Sequence, residues 1–305
     1  MQCGTGAFGK VAWAVALGPY ESEGWFVNSW YQKATSRNEW LIEALIGKSV
    51  QEIRKIKRGF KDDKYGNSLE RAIKSELGAH KFRGLILMTL DTDNGIREEE
   101  PEHGGFLGSV WGHAVQSHGG VKMDQVQDDV KRLYEVLDGR PGTGETVLMH
   151  ILLCRTEVHL REVIRWYRQI HNKILSEVII RHSPNLVVCF FFFFFFFQFI
   201  IELRDTKMGV FVQGEALTHL VSGVIDKPLR DAKLVEDAIN SIMASDNPKD
   251  DLFISRLVRV HWDRGHLRRV KIAYARRFRR ELIDRVRDAA AGDRSFQEFL
   301  TRMLE

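Results

Sequence analysis

The chain has 305 residues, 44% of them apolar and 28% charged, with a formal net charge of +4. That composition supports a sizeable core in about two domains and a mild attraction to anionic surfaces. Three cysteines, Cys3, Cys154 and Cys189, show no CxxC spacing; they exclude a cysteine metal ribbon and point to a reducing, intracellular setting.

The first nineteen residues are apolar but lack a basic start, so they do not read as a signal peptide. Gly4 to Val11 resembles the glycine-rich loop of a protein kinase. No strand lysine follows it, however, and neither HRD nor DFG occurs anywhere, so the kinase reading fails. Gly6-Ala7-Phe8 instead opens a helix whose Val11, Ala14, Val15 and Leu17 face a core, and Gly18-Pro19 stops it. A Trp-rich helix follows over Glu21 to Gln32. Trp25, Phe26, Trp30 and Tyr31 are expected to pack there as core and helix-contact residues.

Leu41 to Asp91 predicts four short helices, broken at Gly47-Lys48-Ser49, Tyr65-Gly66-Asn67 and Leu77-Gly78. Ile53, Ile56 and Phe60 form one apolar stripe at i, i+3 and i+7, and Leu69 and Ile73 continue it at i, i+4. The same grammar returns as Leu160, Val163 and Tyr167, followed by Leu175 and Ile179. It returns again as Leu267, Val270 and Tyr274, followed by Leu282 and Val286. Three copies of an all-helical unit are the mark of a repeat architecture.

Between the first two copies runs a Gly-, His- and Glu-rich connector, Asp91 to Asp124. His103, His113 and His118 match no metal-site spacing, so it reads as a solvated linker. Within the second copy, Cys189 is followed by eight phenylalanines, Phe190 to Phe197. The apolar run Leu186 to Ile201 is shorter than the roughly 18–20 residues of a spanning helix. Phenylalanine codons are pyrimidine-rich, so a translated splice-site tract, that is a retained intron, accounts for it. A genuine insertion and a membrane-inserting segment are the alternatives. The last copy carries a strongly basic third helix and turn: Arg264, Arg268, Arg269, Lys271, Arg276, Arg277, Arg279 and Arg280. Their plain reading is a solvated face paired with Glu281, Asp284 and Asp288; the alternative is a patch for phosphate-rich surfaces, lipid or nucleic acid. The aromatic, glycine and zinc-ligand patterns of nucleic-acid modules are missing.

Lys48-Ser49-x-x-x-Ile53-x-x-Ile56-x-x-x-Phe60, then Tyr65-Gly66-x-Ser68-Leu69-Glu70 and Ile73-Lys74-Ser75-Glu76-Leu77, resembles the annexin repeat. Arg155-Thr156-x-x-x-Leu160 and the segment from His261 to Tyr274 resemble it too. The resemblance implies an all-α fold of five-helix repeats stacked in a curved array. Residues 1–19 become the last helix of a first repeat, 20–90 the second, 91–123 a linker, 124–227 the third and 228–305 the fourth. The third is interrupted at 187–213, because the family pattern passes directly from Pro184-Asn185-Leu186 to Glu215-Ala216-Leu217.

The resemblance also implies a cytoplasmic protein, peripheral on acidic phospholipid membranes, that binds through calcium and has no catalytic site. In the family each ion sits in a G-x-G-T loop between the first two helices, closed by a carboxylate later in the repeat. Glycines let such a loop turn its carbonyls inward, and calcium takes six to eight oxygens. In the second repeat the candidate ligands are Tyr31, Lys33 and Thr35 with Glu76 closing, but both glycines are gone and Lys33 adds positive charge. The third offers Arg140 and Gly142, with Arg181 or His182 where the carboxylate belongs. The fourth offers Asp246 and Asp288, with Pro248 fixing the loop. Thr143, Arg276, Arg277, Arg279 and Arg280 are the candidate lipid contacts. The expectation is calcium-dependent phospholipid binding through degraded sites; the alternative is a calcium-independent helical scaffold for protein or anionic-surface contacts.

Overall fold

The computed structural model describes residues 6–32, 38–78, 81–91, 121–139, 144–182 and 208–305 except 245–250. The loops at 33–37, 140–143 and 245–250 lie outside these, as do the linker histidines and the phenylalanine run. Every regular element among the described residues is helical, as the repeating stripes require. They are α1 (Ala7–Leu17), α2 (Glu21–Gln32), α3 (Glu39–Leu45), α4 (Val50–Gly59), a 3-10 turn (Asp63–Tyr65), α5 (Leu69–Glu76) and α6 (Lys81–Leu90). Then come α7 (Met123–Asp138), α8 (Glu145–Cys154), α9 (Glu157–His171), α10 (Leu175–His182) and α11 (Met208–Ala244). The last four are α12 (Asp251–His261), α13 (Arg264–Phe278), α14 (Leu282–Ala289) and α15 (Arg294–Leu304). All the stripe residues are buried, from Ile53, Ile56 and Phe60 to Leu267, Val270 and Tyr274. Of the four aromatics on α2, Phe26 and Trp30 are buried, while Trp25 and Tyr31 are only half-buried.

Local chemistry sets the boundaries. Ser49 caps α4 in a capping box with Glu52, whose carboxylate accepts from the Ser49 N–H at 2.8 Å. Thr156 and Asp263 cap α9 and α13 by accepting the N–H of His159 and His266. α11 is two helices joined at Asp226, whose φ of −155° and ψ of 83° are not helical. Its carboxylate accepts the Leu229 N–H, and Pro228 sits in the new first turn, where its missing N–H costs nothing.

The chain divides into two compact units. One holds residues 1–34, 55–61 and 226–305. Within it α1 packs on α2, α12 and α15, with Phe8 edge-on to Phe299 and Lys10 paired to Asp251 at 2.6 Å. Glu23 of α2 is buried and forked by Arg259 of α12 at 2.9 and 3.0 Å. Here α2 meets the end of α4 backbone to backbone. A Cβ on Gly24 would lie 2.6 Å from the Gly59 carbonyl carbon, and one on Gly59 would lie 2.9 Å from Glu21 Cα. Gly24→Ala is therefore expected to cost about 1–3 kcal/mol by forcing the two backbones apart. Thermal denaturation checks this, against Gly84→Ala as a control, where an added Cβ meets nothing within 4 Å.

The other unit holds residues 35–54 and 62–225. In it α7 packs on α8, α9 and α10, and α6 on α3, α5 and α8. Lys81 reaches Glu145 at 2.5 Å, joining α6 to α8.

Candidate functional site

Glu76 closes α5, a helix begun by Ser68, which accepts the Arg71 N–H. Just upstream, Asp62 caps the 3-10 turn, and Gly66 reverses the chain in a left-handed conformation with φ of 57°. This brings Lys64 and Tyr65 back over the end of α5. The Lys64 ammonium lies 2.6 Å from Glu76 Oε1, and the Tyr65 hydroxyl donates to the same oxygen. Oε2 has no partner among the described residues, and the side chain keeps about a quarter of its surface in solvent. The carboxylate is thus half committed to an internal cation and half open.

Tyr31 belongs to the first unit, where its hydroxyl donates to Asn28 Oδ1; Glu76 belongs to the second. Lys33, Thr35, Arg140, Gly142, Thr143 and Asp246 fall outside the described residues. Arg181, expected where the third repeat's carboxylate belongs, is exposed and reaches Glu177 at 3.9 Å. Asp288 is exposed in the last turn of α14. One turn earlier Arg285 spans from α14 to the C-terminal turns of α11, reaching Asn240 at 2.8 Å and the Met243 sulfur at 2.7 Å. That places the end of α14 beside the end of α11. No group of three or more His, Cys, Asp and Glu side chains able to hold a metal occurs among the described residues. Against the six to eight oxygens of calcium, these residues bring single carboxylates.

Arg276, Arg277, Arg279 and Arg280 are all exposed at the end of α13 and make no ion pair among the described residues. The expected pairing with acids is not found for Asp284, which takes Arg287 at 3.2 Å. Arg279 holds φ of 58°, a left-handed conformation uncommon outside Gly and Asn.

The two basic-acidic anchors behind these helices are alike. Asp129 of α7 is fully buried, held by Arg155 at 2.7 and 3.1 Å and by His159 at 2.9 Å. Asp231 of α11 is held by Arg230 at 2.8 Å and His266 at 2.7 Å. Burial alone would raise the Asp231 carboxyl, but the hydrogen bonds and charges of His266 and Arg230 outweigh it and hold it well below the usual carboxylate range.

No family model matches the chain. Over 294 residues it is 26% identical to annexin C1 of Cryptococcus neoformans var. grubii, a match taking in 95% of this chain and 51% of that one. Human annexin A7 is 27% identical over 174 residues, 57% of this chain and 31% of its own. The fold matches apo-annexin (Sm)1 with a TM-score of 0.74 at 18% identity, covering 99% of this chain and 74% of that one. In sequence over nearly its whole length, and in fold, the chain is similar to annexins. It spans about half the length of annexin C1 and about a third of annexin A7. Calcium-bound annexin (Sm)1 has the same fold, with a TM-score of 0.73 at 17% identity. What annexin sequence patterns did not single out here is Lys64. Its only signal is a basic residue just before a tyrosine that the helix spacing leaves free to turn inward.

Proposed function

We propose that this chain is a non-enzymatic, peripheral binder of acidic phospholipid membranes on the cytoplasmic side, linked to calcium through attenuated sites. We also assign its repeats as 20–90, 124–227 and 228–305. The observation that carries the reading concerns Glu76, the expected closing carboxylate: Oε2 has no partner among the described residues, while Lys64 and Tyr65 hold Oε1. Calcium would supply a bridge between protein oxygens and lipid phosphate. Glu76 would give it one carboxylate, and Lys64 would have to be displaced as it arrived. Among the described residues no helix is long and apolar enough to cross a membrane, which is consistent with a peripheral mode. The lone carboxylates favour one second reading, a calcium-independent scaffold for protein or anionic-surface contacts.

Liposome co-sedimentation with calcium and with chelator tests it. Affinity for calcium is expected at the weak end, roughly 10⁻⁴–10⁻³ M. Glu76→Gln should remove the calcium-dependent fraction. Lys64→Ala should enlarge it, because the carboxylate loses its internal cation. Calcium-dependent binding that survives Glu76→Gln unchanged would overturn this assignment.

A further inference from the structure

α9 and α13 occupy the same place in successive repeats, and their framework positions agree one by one. Thr156 and Asp263 cap, His159 and His266 reach an aspartate (buried Asp129, half-buried Asp231), Tyr167 and Tyr274 are fully buried, and Asn172 and Arg279 close in a left-handed turn. Their exposed faces differ in charge. On α9, Arg161 is paired with Glu157 at 2.6 Å and Arg165 with Glu162 at 2.8 Å. On α13 the corresponding glutamate positions are Arg264 and Arg269, and the helix contains no acidic residue. The fold needs none of these cations, since α9 folds with Arg161 and Arg165 each paired to a glutamate. At the corner, Asn172 suits its left-handed turn, whereas Arg279 bears the same conformation with a longer side chain. Four guanidinium groups within five residues also repel one another. The helix C-terminus relieves part of that repulsion through its carbonyls.

We propose that the exposed face of α13 and its corner, Arg268, Ile272, Arg276, Arg277, Arg279 and Arg280, bind an anionic phospholipid surface without calcium. Arg268, Ile272 and Arg276 follow at i, i+4 and i+8, one stripe about 12 Å long. Ile272 is 44% exposed among cations, the arrangement of a helix lying at an interface, with apolar side chain inward and guanidinium groups at the phosphates. A nucleic acid is the weaker fit. Single strands need exposed rings for stacking, yet Tyr274 is fully buried and Phe278 lies half-buried beneath Arg277. This contact stands apart from the calcium reading, so Glu76→Gln leaves it intact.

The test is co-sedimentation of the full chain with phosphatidylcholine vesicles with and without phosphatidylserine, in chelator. Binding to the anionic vesicles alone is expected, falling as salt rises. Replacing Arg276, Arg277, Arg279 and Arg280 with Gln should weaken it by about tenfold or more. Arg161→Gln with Arg165→Gln on α9 should leave it unchanged. Arg279→Asn adds a second arm: it should raise the melting temperature by relieving the turn while lowering vesicle binding. The proposal is overturned if no binding survives the chelator, or if the fourfold variant binds as the parent does with its helical spectrum intact. Retention of a polynucleotide with vesicles left unbound also overturns it.

Discussion

Tyr274→Ala is expected to destabilise the chain by about 3–5 kcal/mol, the range for removing a large ring from a packed core. Tyr274 is fully buried on α13, at the end of the Leu267, Val270, Tyr274 stripe. Its hydroxyl donates to Glu236 of α11, which Arg285 of α14 also approaches at 3.4 Å. Burial and the Glu236 charge both push the phenol well above its ordinary value, so it remains a donor throughout the neutral range. Tyr274→Phe separates ring from hydroxyl: it keeps the packing and leaves Glu236 short of a donor, a loss of about 1.5–3 kcal/mol. Tyr167 is the internal control. It is equally buried at the matching place on α9, but its hydroxyl has no partner among the described residues. Where α11 has Glu236, α7 has Tyr134, which stacks on His171 at 3.9 Å instead. Tyr167→Phe should therefore be neutral or stabilising, because it deletes an unpaired buried polar atom. Urea denaturation of the three variants decides the matter. Equal losses for the two Phe variants would show that the Glu236 hydrogen bond contributes nothing.

This contrast shows what could be read from the chain and what could not. The stripes were legible because helical period and burial are one fact seen twice. The breaks at Gly47, Gly66 and Gly78, and α2 over Glu21–Gln32, followed from the same punctuation. Residues that act across helices were not legible. Nothing local pairs Asp129 with His159, thirty positions on, or tells Tyr274 from Tyr167. The candidate calcium site shows the same division. The resemblance singles out Glu76 as the closing carboxylate and Lys33 as an added charge in the loop, whereas the ammonium that meets Glu76 is that of Lys64. Lys64 reaches it only because Gly66 turns the chain back, a tertiary consequence of one left-handed residue. The arginine face of α13 was visible as composition. Its lack of pairing became visible only beside the Glu157–Arg161 and Glu162–Arg165 pairs of α9.

The two aspartate anchors should give losses as large as the core tyrosine, and Asp231 should add a pH signature. Asp129 has no exposed surface and takes three charged or polar contacts from Arg155 and His159. Asp129→Ala leaves the Arg155 guanidinium without its fork, and stranding one partner of a buried pair costs about 3–5 kcal/mol. Asp231→Asn breaks the second anchor while nearly preserving its shape. The native Asp231 carboxyl titrates below its unfolded value of about 3.9, so its ionised form is bound more tightly by the folded chain. That stability is fully present above about pH 4 and is lost as pH falls through the folded value. The Asn variant never had it. Melting temperatures of parent and variant should thus differ most at neutral pH and converge under acid, as Asp231 of the parent protonates. A constant difference across the acid range would mean that Asp231 contributes shape rather than charge, and that the anchor is a packing device with an ion pair in name only.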